Sequence, residues 1–262
     1  MASTIFENIP LIELPWEGEL TVTTLTEKAY DALRHDIVRG HWSPGQQLRM
    51  AELSARYGMG FSPLREALSR LQAEGLAMLA PLRGFSVASL SLEEMWDTIN
   101  LRILIECEAL RLSIRKGGDD WEAGIISTLH ALNRQSGRLA QGNEDDLWEL
   151  ERRHAAFHLQ LISACGSPRL LALAQRLYID TERYRIPILL QSGPASGRDV
   201  QREHTDIADA ALARKLDVAT HRLTEHYKLT AQAIGQRITR QIVPLGGTDQ
   251  KKPTAKRRRQ IA

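Results

Sequence analysis

Four histidines carry the first chemical signal in this 262-residue chain. His154 and His158 lie four residues apart in ERRHAAFHLQL, so on a helix they share one face. His204 follows Glu203 near the start of a later segment, and His226 stands 22 residues beyond His204. Imidazoles brought from three helices into one bundle interior can hold a borderline divalent ion such as zinc or nickel. The spacing leaves a plainer reading open: helical histidines are often exposed or simply hydrogen-bonded. His221, five residues before His226, falls on another side and is expected in solvent. A zinc hydrolase is a poor match, because Ala155 follows His154 where a zinc protease places its glutamate base. The chain is expected not to be an enzyme.

A second signal runs from Arg56 to Val87. RYGMGFSPLREALSRLQAEGL reads as a short helix, a glycine turn and a second helix, and LAPLRGFSV as a two-stranded wing. This is a helix-turn-helix with a wing, a device that sets the start of one helix against base edges in duplex DNA. Ser62 can cap the reading helix with Pro63 at its first position. Arg65 projects from the first turn, where an arginine can read guanine or grip phosphate. Ser62 suits a phosphate, helped by the helix N-terminus. Arg70 and Arg49 are further contacts or ordinary surface arginines, and Arg83-Gly84 tops the wing, where glycine permits close approach to a phosphodiester.

The elements that must position these groups are mostly helical. Thr24-Leu25-Thr26-Glu27 is a capping box that starts a helix with Tyr30, Leu33, Ile37 and Val38 on one side. A helix over about 50–57 follows the Ser43-Pro44-Gly45 turn; the next carries Leu64, Ala67, Leu68 and Leu71 inward, and Leu76–Leu79 with Phe85–Ala88 forms the hairpin. Met95, Ile99, Ile103, Leu110 and Ile114 mark a long amphipathic helix that stops at Gly117-Gly118. Further helices are expected at about 121–141, 145–164, 168–190, 199–213 and 216–239, without strand-like alternation. The fold class is therefore mainly α: an N-terminal winged helix-turn-helix over 23–90 and a C-terminal antiparallel helical bundle over 91–240. Residues 1–22 read as a flexible arm and 241–262 as a disordered basic tail.

The net charge of +2 conceals an uneven layout, with four acids and no base in residues 1–20 and six bases and no acid in 251–262. DNA binding therefore rests on where the arginines sit rather than on global charge. The run KKPTAKRRR would add salt-sensitive, sequence-independent affinity, or remain a solvated tail. No apolar run approaches the roughly 18 residues that span a bilayer. The first residues lack the pattern of a secretory signal. Cys107 and Cys165 have no metal-type spacing, so free thiols in a cytoplasmic protein are expected.

Residues 26–90, through YDALRHDIVRGHWSPGQQL, AELSARYGMGFSPLREALSRLQAEGL and RGFSV, resemble the GntR family of bacterial regulators. One departure is Gly60-Phe61-Ser62, where the family commonly has Ser-Arg-Thr. The usual first arginine of the reading helix is Phe61 here, so the operator code is not transferable; Phe61 can contact a thymine methyl or pack. Residues 92–230 resemble the FCD effector domain of the FadR-type branch, through Arg102-x-x-x-Glu106, Phe157-His158, Glu203-His204 and His226. That resemblance implies a metal held by three histidines and an aspartate, and the aspartate position is His154, which leaves either four nitrogen ligands or three with His154 only nearby. It also implies an anionic effector that completes the coordination, with Arg102 as second carboxylate anchor or as a plain i,i+4 partner of Glu106. Tyr184 and Arg185 in ERYRIP are further candidates for the effector pocket. KGGDDWEAGI, RRHAAFHLQLISACGS and RYRI resemble the branch of glutarate-responsive repressors, which implies a small dicarboxylate such as glutarate or 2-hydroxyglutarate. The expectation is a homodimer that leaves a palindromic double-stranded operator when the effector binds, with no membrane partner.

Overall fold

The computed structural model describes residues 24–139, 144–191 and 198–242. The chain divides into two compact units, Met1–Ser89 and Leu90–Ala262. The proposed arm over 1–22 and all but the first two residues of the basic tail lie outside the described residues.

In the first unit, α1 (Leu25–Val38) opens on the capping box: Glu27 N–H donates to Thr24 Oγ1 at 3.2 Å, and Thr24 N–H donates to the Glu27 carboxylate at 2.7 Å. α2 (Met50–Tyr57) ends on Gly58, whose φ of 64° is the left-handed region that glycine enters without strain. α3 (Phe61–Ala73) buries Leu64, Ala67, Leu68 and Leu71, the 3.6-residue stripe expected of it. Its start differs from the expectation. Gly60 is the cap, with no side-chain hydrogen bond, and Ser62 and Pro63 lie inside the first turn. The first amides of a helix have no acceptor within it, so Pro63 loses no bond by standing two residues further in.

β1 (Ala77–Ala80) and β2 (Gly84–Val87) pair antiparallel, Ala80 opposite Gly84. β1 starts one residue later than the sequence suggests, because the Leu76 amide closes the end of α3 on the Leu71 carbonyl at 2.9 Å. Asp36 fixes α2 against α1. It accepts from Arg56 Nε at 2.9 Å, from the Tyr57 hydroxyl at 2.8 Å, and meets the His41 ring at 3.0 Å. Burial works against its charge, but these three bonds prevail and hold its carboxyl at about 2.

The second unit is a helical bundle: α4 (Leu92–Lys116), α5 (Asp119–Leu139), α6 (Glu144–Ile162), a 3₁₀ turn (Ser163–Cys165), α7 (Pro168–Gln191), α8 (Val200–Leu212) and α9 (Leu216–Ile242). α4 packs on α7 and α9, α5 on α6, and α8 on α9. The inner line of α4 is not wholly apolar. Met95, Ile99 and Leu110 are buried as expected, but Arg102 and Glu106 are buried with them and Ile103 is only half-buried. The polar pair takes the inward positions because partners on α7 and α9 satisfy it. Among the described residues no helix is long and apolar enough to cross a membrane.

Candidate metal centre and nucleic-acid interface

The first unit gathers cations around one groove. Arg49 immediately before α2, Arg65 on α3, and Arg83 and Gly84 on the wing all line it. All four are exposed. Arg65 follows buried Leu64 by one residue, so it turns about 100° away from the core. With α3 starting at Phe61, Arg65 stands just past the first turn rather than in it, and Phe61 and Ser62 are exposed on that first turn; Phe61 is 53% exposed, so it is not packed into the unit. Arg70 is placed differently. Its guanidinium lies 3.7 Å from the Tyr30 ring centroid and meets Glu74 at 3.5 Å, which ties α3 to α1. Gln47 was not singled out from the sequence; its side-chain amide donates to the Arg83 carbonyl at 2.9 Å and steadies the wing.

In the bundle, α6 brings His154 and His158, α8 brings His204 and α9 brings His226, with one ligand atom from each within 4.8 Å of all the others. His158, His204 and His226 are buried and His154 is half-buried. His154 Nε2 and His158 Nε2 are 3.2 Å apart. Two nitrogens bound tetrahedrally to one zinc at its usual bond length would stand about 3.3 Å apart.

The outer edges of three rings are engaged. His154 Nδ1 meets the Tyr178 hydroxyl at 2.9 Å, His158 Nδ1 the Tyr227 hydroxyl at 3.0 Å, and His226 Nδ1 the Glu203 carboxylate at 2.8 Å. His204 Nε2 is buried and has no hydrogen-bond partner among the described residues. Such an orphan costs free energy unless something takes its lone pair or proton. Burial, reinforced by the neighbouring rings and arginines, holds His154, His158 and His204 well below the usual histidine range. Burial lowers His226 too, although Glu203 pulls the other way. Neutral imidazoles with outer nitrogens held by carboxylate or phenol are the form a metal requires. The donor set therefore fits a divalent ion. Four nitrogens without a carboxylate suit zinc or nickel better than magnesium or calcium.

Three arginine–glutamate pairs border the rings. Arg102 Nε donates to Glu106 at 2.5 Å, Nη1 to Thr181 at 3.0 Å and Nη2 to the Tyr227 hydroxyl at 3.3 Å. Burial opposes the Arg102 charge, but Glu106 beside it raises its pKa above the usual arginine value. Arg185 bonds Glu151 and, at 2.8 Å, the Tyr178 hydroxyl, while its Nε is buried without a hydrogen-bond partner among the described residues. Arg198 pairs with Glu203 at 2.5 Å. Burial opposes ionisation of Glu203, yet His226 and Arg198 hold it at about 2. The structure thus brings Arg102 and Arg185 to the borders of the histidine cluster. Tyr184 turns elsewhere: its hydroxyl meets Arg183 at 2.6 Å and Glu94 at 3.5 Å.

Tyr178, Tyr227, Glu151, Glu203 and Arg198 were not chosen from the sequence. Two of them left a trace, since Glu203 and Tyr227 directly neighbour His204 and His226. His221 is exposed, as expected.

A winged helix-turn-helix joined to a helical bundle with a buried polar site defines a DNA-binding regulator with a sensing domain. Residues 25–87 match the model of bacterial regulatory proteins of the gntR family, and residues 97–229 match the FCD domain. The HTH-type transcriptional repressor GlaR of Escherichia coli K12 is 36% identical over 209 residues, 79% of this chain and 93% of that protein. The HTH-type transcriptional regulator BphR of Paraburkholderia xenovorans LB400 is 36% identical over 215 residues, 82% of this chain and 87% of that protein. The solved structure of E. coli McbR/YncC aligns with a TM-score of 0.66 at 20% identity, covering 82% of this chain and 99% of that one, a likeness of fold. The chain belongs to the GntR family of bacterial regulatory proteins and carries an FCD domain. Its family and relatives are transcriptional regulators, not enzymes.

Proposed function

We propose that this protein is a cytoplasmic, homodimeric repressor that leaves a palindromic operator when a small dicarboxylate binds beside a zinc or nickel ion in the bundle. The observation that carries this reading is the charge of the donor set. His154, His158, His204 and His226 supply only neutral nitrogens, and the nearby arginines are already matched by Glu106, Glu151 and Glu203. An ion held there keeps its two positive charges and draws an anionic ligand into a site of low dielectric. One carboxylate would add a fifth donor to the four nitrogens.

The second carboxylate would go to Arg185 before Arg102. All three Arg102 nitrogens already donate to protein groups, whereas Arg185 Nε has no partner among the described residues. The glutarate-type chain length follows from the resemblance to glutarate-responsive repressors, and repression from the likeness to GlaR. On the DNA side, Arg65 at the start of α3 would read base edges, Phe61 and Ser62 would meet the same groove, and Arg49, Arg83 and Gly84 would meet phosphates. Release follows if the effector-bound bundle favours a spacing of the two reading helices that no longer matches one helical turn of DNA.

A thermal-shift panel on zinc- or nickel-loaded protein tests the reading. A C4–C6 diacid at a hundredfold excess over its Kd is expected to add about 2.7 kcal/mol, a rise of roughly 5–10 °C. No shift with any of these diacids overturns the proposed effector class.

A further inference from the structure

Two buried relays flank the histidine cluster and look alike. Each runs from an arginine and a glutamate through a tyrosine hydroxyl to the Nδ1 of a histidine on α6. One is Arg102–Glu106–Tyr227–His158, the other Arg185–Glu151–Tyr178–His154. Their hydrogen-bond geometry is unequal. The Tyr227 hydroxyl donates to Glu106, which lies nearer to it than His158 Nδ1 at 3.0 Å. A carboxylate is also the stronger acceptor. The single phenolic proton of Tyr227 is thereby committed. Its oxygen can only accept, from Arg102 Nη2 at 3.3 Å and from His158 Nδ1–H. His158 then carries its one proton on Nδ1 and aims a bare Nε2 into the cluster.

Tyr178 has a choice. Its hydroxyl accepts from Arg185 Nη2 at 2.8 Å. Its own proton can go to His154 Nδ1 at 2.9 Å or to Glu151, whose carboxylate and backbone oxygens are both 3.4 Å away. The shorter contact decides this when no ion is present. If His154 also carried its proton on Nδ1, two bare Nε2 lone pairs would face each other at 3.2 Å. With the Tyr178 proton on His154 Nδ1, His154 holds its own proton on Nε2 and donates it to His158. Every polar hydrogen between the two rings then has an acceptor.

We propose that Tyr227 is a positioning residue that presets His158 as a ligand, whereas Tyr178 lets His154 change tautomer, so that of the two only His154 must rearrange to take the metal. This rests on the metal site of the proposed function. On binding, the His154 proton passes from Nε2 to Nδ1 and is donated to the Tyr178 oxygen, and the Tyr178 hydroxyl turns to Glu151. One proton stays on each group throughout, so the rearrangement releases none. The position that resembles an aspartate site thereby holds a residue that satisfies its neighbours with or without the ion.

Nitrogen-15 NMR on the full-length protein, labelled at histidine and stripped of metal, reads the tautomers directly. His158 is expected as the Nδ1–H form and His154 as the Nε2–H form, with His154 converting to Nδ1–H when zinc is added. Zinc affinity, measured by competition with a chromophoric chelator, is expected to fall about 10–100-fold in Tyr227→Phe and to change by less than about 3-fold in Tyr178→Phe. An Nε2–H form of His158 in the metal-free wild type overturns the proposal, as does an equal loss of zinc affinity in the two variants. Failure of the wild type to bind zinc or nickel would instead defeat the metal reading. The metal-free tautomers judge the relays even if Tyr227→Phe folds poorly.

Discussion

Arg65 and Arg102 are both helical arginines that sequence spacing singles out, and they are used in opposite ways. Arg65 extends into solvent from the N-terminal part of α3, just past its first turn, in a groove it shares with Arg49 and Arg83. Arg102 is 2% exposed and bonds Glu106, Thr181 and Tyr227 at once. A surface that meets a polyanion can leave its cations to water until the partner arrives. A buried site cannot, because an unmatched charge away from water is costly. The proposed DNA face thus holds its charges ready for an outside partner. The proposed metal site is balanced internally and would gain excess charge only on taking up an ion.

The largest effect that would break this contrast is acid sensitivity. Burial lowers the pKa of all four cluster histidines, so the folded bundle takes up fewer protons than the unfolded chain, and stability rises with pH. These rings cost nothing well above the unfolded histidine value of about 6.5 and become a penalty as pH falls below it. Urea unfolding of metal-free protein should show a clearly lower midpoint at pH 5 than at pH 7.5. An unchanged midpoint would mean that the rings are not buried and neutral.

Next in size is the buried ion pair. Arg102→Met strands Glu106 and should cost about 3–5 kcal/mol, while Arg102→Met with Glu106→Met should recover most of that loss. Thermal denaturation of the two variants checks it, and equal destabilisation would argue against a mutually dependent pair. Arg65→Ala should weaken binding to a selected operator fragment by about 1–3 kcal/mol in a gel-shift assay and leave zinc affinity unchanged. Arg70→Ala sharpens the same boundary from the other side. Stacked on Tyr30, Arg70 should contribute about 0.5–1 kcal/mol to stability and alter operator affinity by less than about 2-fold.

The two regions were not equally legible in the sequence. The winged unit could be read almost residue by residue, because its signals are local: a capping box at Thr24, a left-handed turn at Gly58 and an apolar stripe along α3. The misplaced cap at Ser62 arose because proline is tolerated at several positions of a first turn, so Pro63 does not fix the register. The histidines of the bundle were legible from type and spacing. Their supports were not, because Tyr178 and Glu151 are separated by 27 residues and Tyr227 and Glu106 by 121, and only the packing of α7 on α6 and of α9 on α4 brings these pairs together. Nothing in ERYRIP distinguishes Arg185, which turns toward Tyr178, from Tyr184, which turns toward Glu94. Adjacent residues on a helix point about 100° apart, and which of them faces the site depends on the neighbouring helices.

A metal-held dicarboxylate signal is tested most directly by one titration: fluorescence anisotropy of a labelled operator fragment bound by the full-length protein, with glutarate added to zinc-loaded wild type, metal-stripped wild type and zinc-treated His226→Ala. Release of DNA from the zinc-loaded wild type, and no release at the same glutarate concentration from the other two, is the predicted result. Equal release from all three, or none from the zinc-loaded protein, would contradict a metal-held dicarboxylate as the signal that moves the reading helices.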